Sequence, residues 1–253
     1  QEGLLFNQAY TTNAKCSPSR SSILTGRNSW LLEEATNHVP HFPEKFITFP
    51  EVLKDNGYKT GFTGKGWAPG KATKGGKKRD LIGPMYRDIK LNPPADFISN
   101  VDYFENFKFF LNEKKEDQAF FFWVGGHEPH RAYEYKVGVN KGNKELEKIE
   151  EVPAFWPDSD NVRTDMLDYA FEVEYFDQHL VKIIAELEKR KLLDNTIIVV
   201  WGDHGWHLGE KDITGKNTLW DRGTKVPLVF AGPGITPQQT CGQPVELLDI
   251  SPT

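Results

Sequence analysis

The sequence predicts an α/β fold: a mostly parallel central sheet with helices on both faces. Short runs of β-branched and aromatic residues alternate with helical patterns along the whole chain, the order expected of strands separated by crossover helices. The runs at 60–63, 120–125, 196–201 and 226–231 are apolar throughout or nearly so, as strands buried on both faces of a parallel sheet should be. Composition agrees, since the 253 residues are 38% apolar and 26% charged with two cysteines and a net charge of −5. That profile is globular and excludes disordered and collagen-like chains. No apolar run approaches the roughly 18 residues of a membrane helix. The acidic balance argues against a nucleic-acid partner.

Taken in order, Ser17 reads as a helix cap with Pro18 at the first helical position, and Gly26 ends that helix after Ile23 and Leu24. Residues 49–56 form a second helix closed by Gly57. From Trp67 to Pro94 the chain has many Gly, Pro and Lys residues, and reads as a long loop whose Lys71, Lys74, Lys77, Lys78 and Arg79 are solvated. In 99–114 the spacing of Tyr103, Phe104, Phe107, Phe110 and Leu111 marks a helix face turned to the core. A longer helix over 160–191 repeats the pattern through Met166, Tyr169, Ala170, Val173, Phe176, Leu180, Ile183, Ile184 and Leu187. It ends in a basic turn and feeds the strand at Thr196.

Chemistry-bearing residues gather where these elements end. Cys16 stands at a helix N-terminus, where free N–H groups and the dipole favour an anion, and Arg20 is one turn on. A buried inert cysteine beside a surface arginine is the plain alternative. Lys65 follows the strand 60–63 and, taken alone, is an ordinary surface lysine. In His127-Glu128-Pro129-His130 the proline stiffens a loop after the strand 120–125, with both histidines directed to one cleft or bonded to loop carbonyls. Residues 201–210 leave another apolar strand, at the edge where open α/β sheets bind ligands. There Asp203 and His204 are ligand candidates or a strand-end turn.

Cys16-Ser17-Pro18-Ser19-Arg20, followed by Ser21-Ser22-Ile23-Leu24-Thr25-Gly26, resembles the type I sulfatase signature of the alkaline phosphatase superfamily. The resemblance implies that Cys16 is oxidised to formylglycine, whose hydrated form is the nucleophile. It implies that Asp203 and His204 belong to a metal loop holding Ca²⁺, with Mg²⁺ as the other candidate. It also implies that Arg20, Lys65 and Lys216 neutralise sulfate oxygens and that His130 protonates the leaving group. His127 and His207 are implied to assist substrate binding. Many relatives carry a histidine two places after the lysine matched by Lys65; Trp67 stands there and can offer a stacking face to a sugar. The segments 127–133 and, separately, 203–211 with 220–227 resemble the heparan sulfamidase and iduronate-2-sulfatase branches respectively. An acidic pair that the family places near its first strand has no counterpart here. With no initiator Met and an apolar C-terminus, the sequence is expected to be a single catalytic domain over 1–253, truncated at both ends.

The implied function is hydrolysis of O-sulfate esters or N-sulfates of glycosaminoglycan-like glycans. A phosphodiester or phosphonate monoester hydrolase and a non-catalytic sulfated-glycan binder are the alternatives. Implied partners are a sulfated carbohydrate and a formylglycine-generating or anaerobic sulfatase-maturating enzyme. No Asn-x-Ser/Thr sequon occurs, which disfavours lysosomal delivery and points to a bacterial periplasmic, secreted or surface protein.

Overall fold

A computed structural model describes residues 3–74 and 77–251; the terminal readings at residues 1–2 and 252–253 and the side chains of Lys74 and Lys77 lie outside what it describes. In chain order the elements are β1 (Leu4–Tyr10), α1 (Cys16–Thr25), β2 (His41–Phe42), α2 (Phe49–Asp55), β3 (Lys59–Gly64), β4 (Lys71–Lys74) and β5 (Lys77–Lys78). Then follow β6 (Met85–Tyr86), α3 (Tyr103–Asn112), β7 (Phe120–Gly125), α4 (Val137–Asn140), α5 (Asp160–Lys189) and β8 (Ile198–Trp201). The last are β9 (His207–Leu208), β10 (Thr214–Gly215), α6 (Asp221–Thr224), β11 (Lys225–Ala231), β12 (Gln239–Cys241) and β13 (Val245–Glu246).

The α/β class holds, and every strand expected from an apolar run is present. β3 pairs in parallel with β6 and β7, in register from Lys59 opposite Phe120 to Gly64 opposite Gly125. β1 pairs in parallel with β12 and β13. The strand at 226–231 differs in direction, because β11 runs antiparallel to both β1 and β8. Apolar content does not encode direction. A parallel return needs a crossover, usually a helix, and the longest α-helix between β8 and β11 is the four-residue α6.

Burial on both faces, expected of all four runs, is incomplete for β7, for β8 and for β11, where Pro227 is exposed and residues 229–231 are only partly buried. All four residues of β8 are partly exposed, and Ile197 just before it is 58% exposed. Among the described residues β7 and β8 each pair on one side only.

Two of the three apolar clusters among the described residues fix the layers, the third being the smaller group of Ala95, Ile98, Val137 and Tyr175. One gathers Ile23 and Leu24 of α1, Ala9 of β1, Trp123 of β7 and Val226 and Leu228 of β11. The other packs Phe107, Phe110 and Leu111 of α3 on Ile183 and Leu187 of α5, with Phe120 and Phe122 of β7 against them. The aromatic face of α3 is therefore core, as its spacing predicts. Residues 168–179 of α5 depart from its pattern: Tyr169 and Val173 are 41% and 42% exposed, whereas Asp168, Glu172 and His179 are buried. Asp168 is held inside by accepting the backbone N–H groups of Lys136 and Gly138, at 3.0 and 2.8 Å. A local hydropathy pattern is blind to such partners.

The basic stretch after Trp67 is also more ordered than a long loop. β4 pairs with β2 and β5, and Arg79 is buried instead of solvated. Its guanidinium donates to both carboxylate oxygens of Glu51, at 2.6 and 2.5 Å, and to the Phe46 carbonyl at 2.6 Å. Glu51 is also half of the Thr48 capping box that starts α2, so the pair locks hairpin to helix.

Candidate active site

β3, β7 and β8 all deliver their C-terminal ends to the N-terminus of α1. That helix begins at Cys16, with Lys15 as the N-cap and no side-chain cap. The expected Ser17 cap is corrected: Ser17 lies inside the helix and its hydroxyl donates to the Pro69 carbonyl at 2.5 Å. From Cys16 to Leu24 every residue is buried, although four of the nine are serines. Its hydroxyls are satisfied individually, Ser19 by the Asp203 carbonyl at 2.5 Å and Ser21 by the Ser17 carbonyl at 2.9 Å, as buried polar groups require.

The Cys16 sulfur lies 3.2 Å from Lys216 Nζ and 3.3 Å from His204 Nε2. Lys216 Nζ is also 3.2 Å from His204 Nε2, so thiol, imidazole and ammonium form a closed triangle. His204 Nδ1 is 2.8 Å from the Gly205 carbonyl; since a carbonyl only accepts, Nδ1 carries a proton, and Nε2 is the nitrogen that faces the sulfur. Burial acts to raise the thiol pKa, but the His204 contact and the Lys65 ammonium prevail and lower it to about 5. Cys16 is thus held as a thiolate at neutral pH.

Arg20 is buried behind this triangle. Its Nε donates to Asp203 Oδ2 at 2.8 Å, and Nη1 donates to the Lys65 and Gly66 carbonyls at 2.6 and 2.7 Å. Against the effect of burial, the Arg20 charge and then that of His204 hold the Asp203 carboxyl well below the usual carboxylate range. Arg20 therefore serves the site by fixing Asp203 and the turn after β3. Lys65 is anchored by its own N–H to the Gly125 carbonyl at 2.6 Å.

His127 and His130 leave β7 as exposed side chains of one tight turn, with the His130 N–H donating to the His127 carbonyl at 3.0 Å. His130 meets the triangle through Trp206, whose ring is 6.2 Å from the His130 ring and 5.6 Å from Lys216 Nζ. Trp206 carried no signal in the sequence beyond its place in the 201–210 loop. His38 was missed as well: it is exposed, yet desolvation, then the charge of Lys15 and, against the opposing charge of Cys16, those of Lys216 and Lys65 lower its pKa.

Two expected substrate contacts are corrected. His207 is fully buried in β9, with Nε2 2.7 Å from Thr218 Oγ1. It pairs opposite Gly215 of β10 and so braces the strand leading to Lys216 rather than facing a sugar. Trp67 packs on the first core with its ring edge-on to Phe42 at 5.4 Å, and its indole N–H donates to Ser21 Oγ at 2.8 Å. Trp67→Phe is accordingly expected to cost about 1 kcal/mol in urea unfolding, the value of one hydrogen bond. KM for a sulfated sugar should stay within about twofold; a rise of tenfold or more would restore the stacking role.

Among the described residues, Cys16, Asp203 and His204 are the one group whose ligand atoms gather within 4.8 Å. A thiol, an imidazole and a single carboxylate do not match the roughly six to eight oxygens that calcium takes, nor the oxygen octahedron of magnesium. The set by itself does not fit either hard ion.

A low-pKa cysteine beside Lys216 and His204 at a helix N-terminus, in an α/β protein, is an arrangement chemically suited to an anionic group. The Sulfatase family model matches residues 1–253, and the chain belongs to the sulfatase family. It is 27% identical over 314 residues to a sulfatase of Formosa agariphila, covering 99% of this chain and 61% of that one. It is 26% identical over 305 residues to human N-acetylglucosamine-6-sulfatase, covering 99% of this chain and 54% of the relative. Human iduronate 2-sulfatase is 27% identical, with 92% and 54% covered. The chain therefore spans little more than half the length of these relatives. The same fold occurs in a Bacteroides thetaiotaomicron structure described with metabolism of multiple glycosaminoglycans, at TM-score 0.77 and 16% identity, covering 100% of this chain and 62% of that one. It also occurs in a phosphonate monoester hydrolase of Silicibacter pomeroyi, at TM-score 0.66 and 17% identity, with 100% and 65% covered. Sulfatases generally depend on a metal and on formylglycine.

Proposed function

We propose that residues 1–253 act as one catalytic domain hydrolysing O-sulfate esters or N-sulfates of glycosaminoglycan-like glycans. The observation that supports this best is the Cys16 sulfur, bracketed by Lys216 and His204 at the start of α1 in a chain of the sulfatase family. The relatives named for sugar sulfates, N-acetylglucosamine-6-sulfatase and iduronate 2-sulfatase, support the substrate class.

Conversion of Cys16 to formylglycine would supply a hydrated aldehyde as the attacking oxygen, and its surroundings suit that group because every neighbour of the sulfur is a cation or a proton acceptor. Lys216 and Lys65 neutralise sulfate oxygens as charge builds on them, the electrostatic part of the rate enhancement. His130 gives a proton to the departing sugar oxygen or nitrogen, while His127 borders the entering sugar. Asp203, oriented by Arg20, and His204 are the residues this chain offers toward a divalent ion, Ca²⁺ or Mg²⁺. Since the described set does not fit such an ion, no step here runs through it.

The sulfated glycan is one partner, and an enzyme that oxidises Cys16 is the other. A bacterial periplasmic, secreted or surface setting agrees with the absence of sequons in the chain and with bacterial relatives such as that of Formosa agariphila.

Matched sulfate and phosphonate esters assayed side by side on the full-length protein test the reading. Turnover of the sulfate should exceed that of the phosphonate by about 10²-fold. Mass spectrometry of the Cys16 peptide should show the thiol carbon replaced by an aldehyde. Preference for the phosphonate would transfer the site to the other reaction, and an unmodified Cys16 with no turnover would leave a glycan-binding protein.

A further inference from the structure

Glu128 stands between two exposed histidines yet turns inward and is only 8% exposed. One of its carboxylate oxygens accepts the Ser99 N–H at 2.9 Å, and the other accepts the Tyr103 hydroxyl at 2.9 Å. The Tyr103 oxygen in turn accepts the backbone N–H of His127 at 3.1 Å. Tyr103, the first residue of α3, is fully buried, its ring edge-on to His179 of α5 at 5.1 Å and to Phe176 at 6.3 Å.

A buried carboxylate loses its hydration and is tolerated only where donors replace water. An apolar side chain at position 128 would fill the same space without that cost, so packing alone does not account for Glu128. What the carboxylate adds is direction. It orients the Tyr103 hydroxyl, whose lone pair then fixes the backbone at His127, and the His127 carbonyl holds the His130 N–H at 3.0 Å. Burial and the Glu128 charge raise the Tyr103 pKa far above its ordinary value, so the phenol remains a donor to Glu128 at any working pH. Burial, and then the Glu128 charge, also raise the pKa of Glu172 on α5 to about 7.

We propose that Glu128 and Tyr103 are a positioning pair that holds the His127–His130 turn at the mouth of the site, so that His130 meets the leaving atom of the substrate. The reactive consequence rests on the assignment of His130 as proton donor; the mechanical one does not. Neither residue touches the substrate, and both act through the turn.

Two readouts on the full-length protein separate these consequences. The first is hydrogen exchange of the segment 126–131, with α1 as the internal reference. The second compares a sugar sulfate, whose alkoxide needs a proton to leave, with an aryl sulfate, whose phenolate does not. In Tyr103→Phe the segment should exchange about tenfold faster, with α1 unchanged. For the sugar sulfate, kcat should fall about 10- to 100-fold with KM within about threefold, while the aryl sulfate loses less than about threefold. Glu128→Ala should match it. Glu128→Gln retains an acceptor for Tyr103 and should recover most of the activity. Unchanged exchange in the segment, or an equal rise in α1, would overturn the pair as a positioning device. Faster exchange confined to the segment with equal losses on both sulfates would uphold the pair and remove the proton-donor role from His130. If wild type hydrolyses neither sulfate, exchange alone decides.

Discussion

Cys16→Ala is expected to lower turnover of a sulfated sugar by about 10⁴-fold or more, the scale on which loss of a covalent nucleophile falls. The substitution removes one buried sulfur and leaves the Lys216 and His204 side chains facing each other at 3.2 Å. The packing cost is small, so the urea midpoint should correspond to a change of about 1 kcal/mol. Cys16→Ser keeps a hydroxyl for both neighbours and should fold like wild type, yet be nearly as inactive unless the host converts serine. The contrast matters because a serine is a competent nucleophile in many hydrolases. In the proposed mechanism the sulfate ester formed on one hydroxyl of the diol leaves as the other hydroxyl loses its proton and the aldehyde is regenerated, whereas a serine sulfate ester has no second hydroxyl to expel it. Turnover by Cys16→Ala within tenfold of wild type, measured as sulfate release, would end the formylglycine mechanism.

Arg20→Ala is expected to destabilise the fold by roughly 3–5 kcal/mol, the cost of stripping one partner from a buried ion pair. Three elements lose their common fastener, since Arg20 links α1, the turn after β3 through the Lys65 and Gly66 carbonyls, and the β8 end through Asp203. Arg20→Lys keeps the charge but not the fork, and should recover only part of the loss. The pair also sets a pH dependence. The Asp203 pKa is lower in the folded chain than in the unfolded one, so its contribution is complete above about pH 4 and is lost as pH falls toward the native value. Wild type should therefore lose stability more steeply than Arg20→Ala in acid below about pH 4. Equal slopes in chemical denaturation would mean that the Arg20–Asp203 contact does not stabilise the fold.

The parts of the site legible in the sequence are those whose chemistry is carried by a short contiguous pattern. Cys16 with the residues after it, Asp203 with His204, Lys65 and the His127–His130 turn all stand at ends of elements that local periodicity or turn chemistry announces, whereas Lys216, after the two-residue β10, was legible only through the family resemblance. Trp206 and His38 were invisible because nothing local distinguishes them from ordinary loop residues. His207 and Trp67 were misplaced for a related reason. Whether an imidazole or an indole faces a cleft depends on the partner across from it, and those partners, Thr218 and Ser21, are read only in three dimensions.

From sequence alone, with β1 and the short strands not read, came the α/β class, the four apolar strands and the longer helices within a few residues, and the chemistry-bearing residues Cys16, Lys65, Lys216, Asp203 and His204. These follow from side-chain period and from residue chemistry at element ends, both local properties. Tertiary structure decided the antiparallel course of β11, the buried polar stripe of α5 and the inward turn of Glu128. It also decided the triangle of Cys16, His204 and Lys216, whose members lie 188 and 200 positions apart in pairs with Cys16. Such choices turn on which desolvated groups find partners across the chain. A buried donor or acceptor costs free energy until it is paired, and no local window contains both members of the pair.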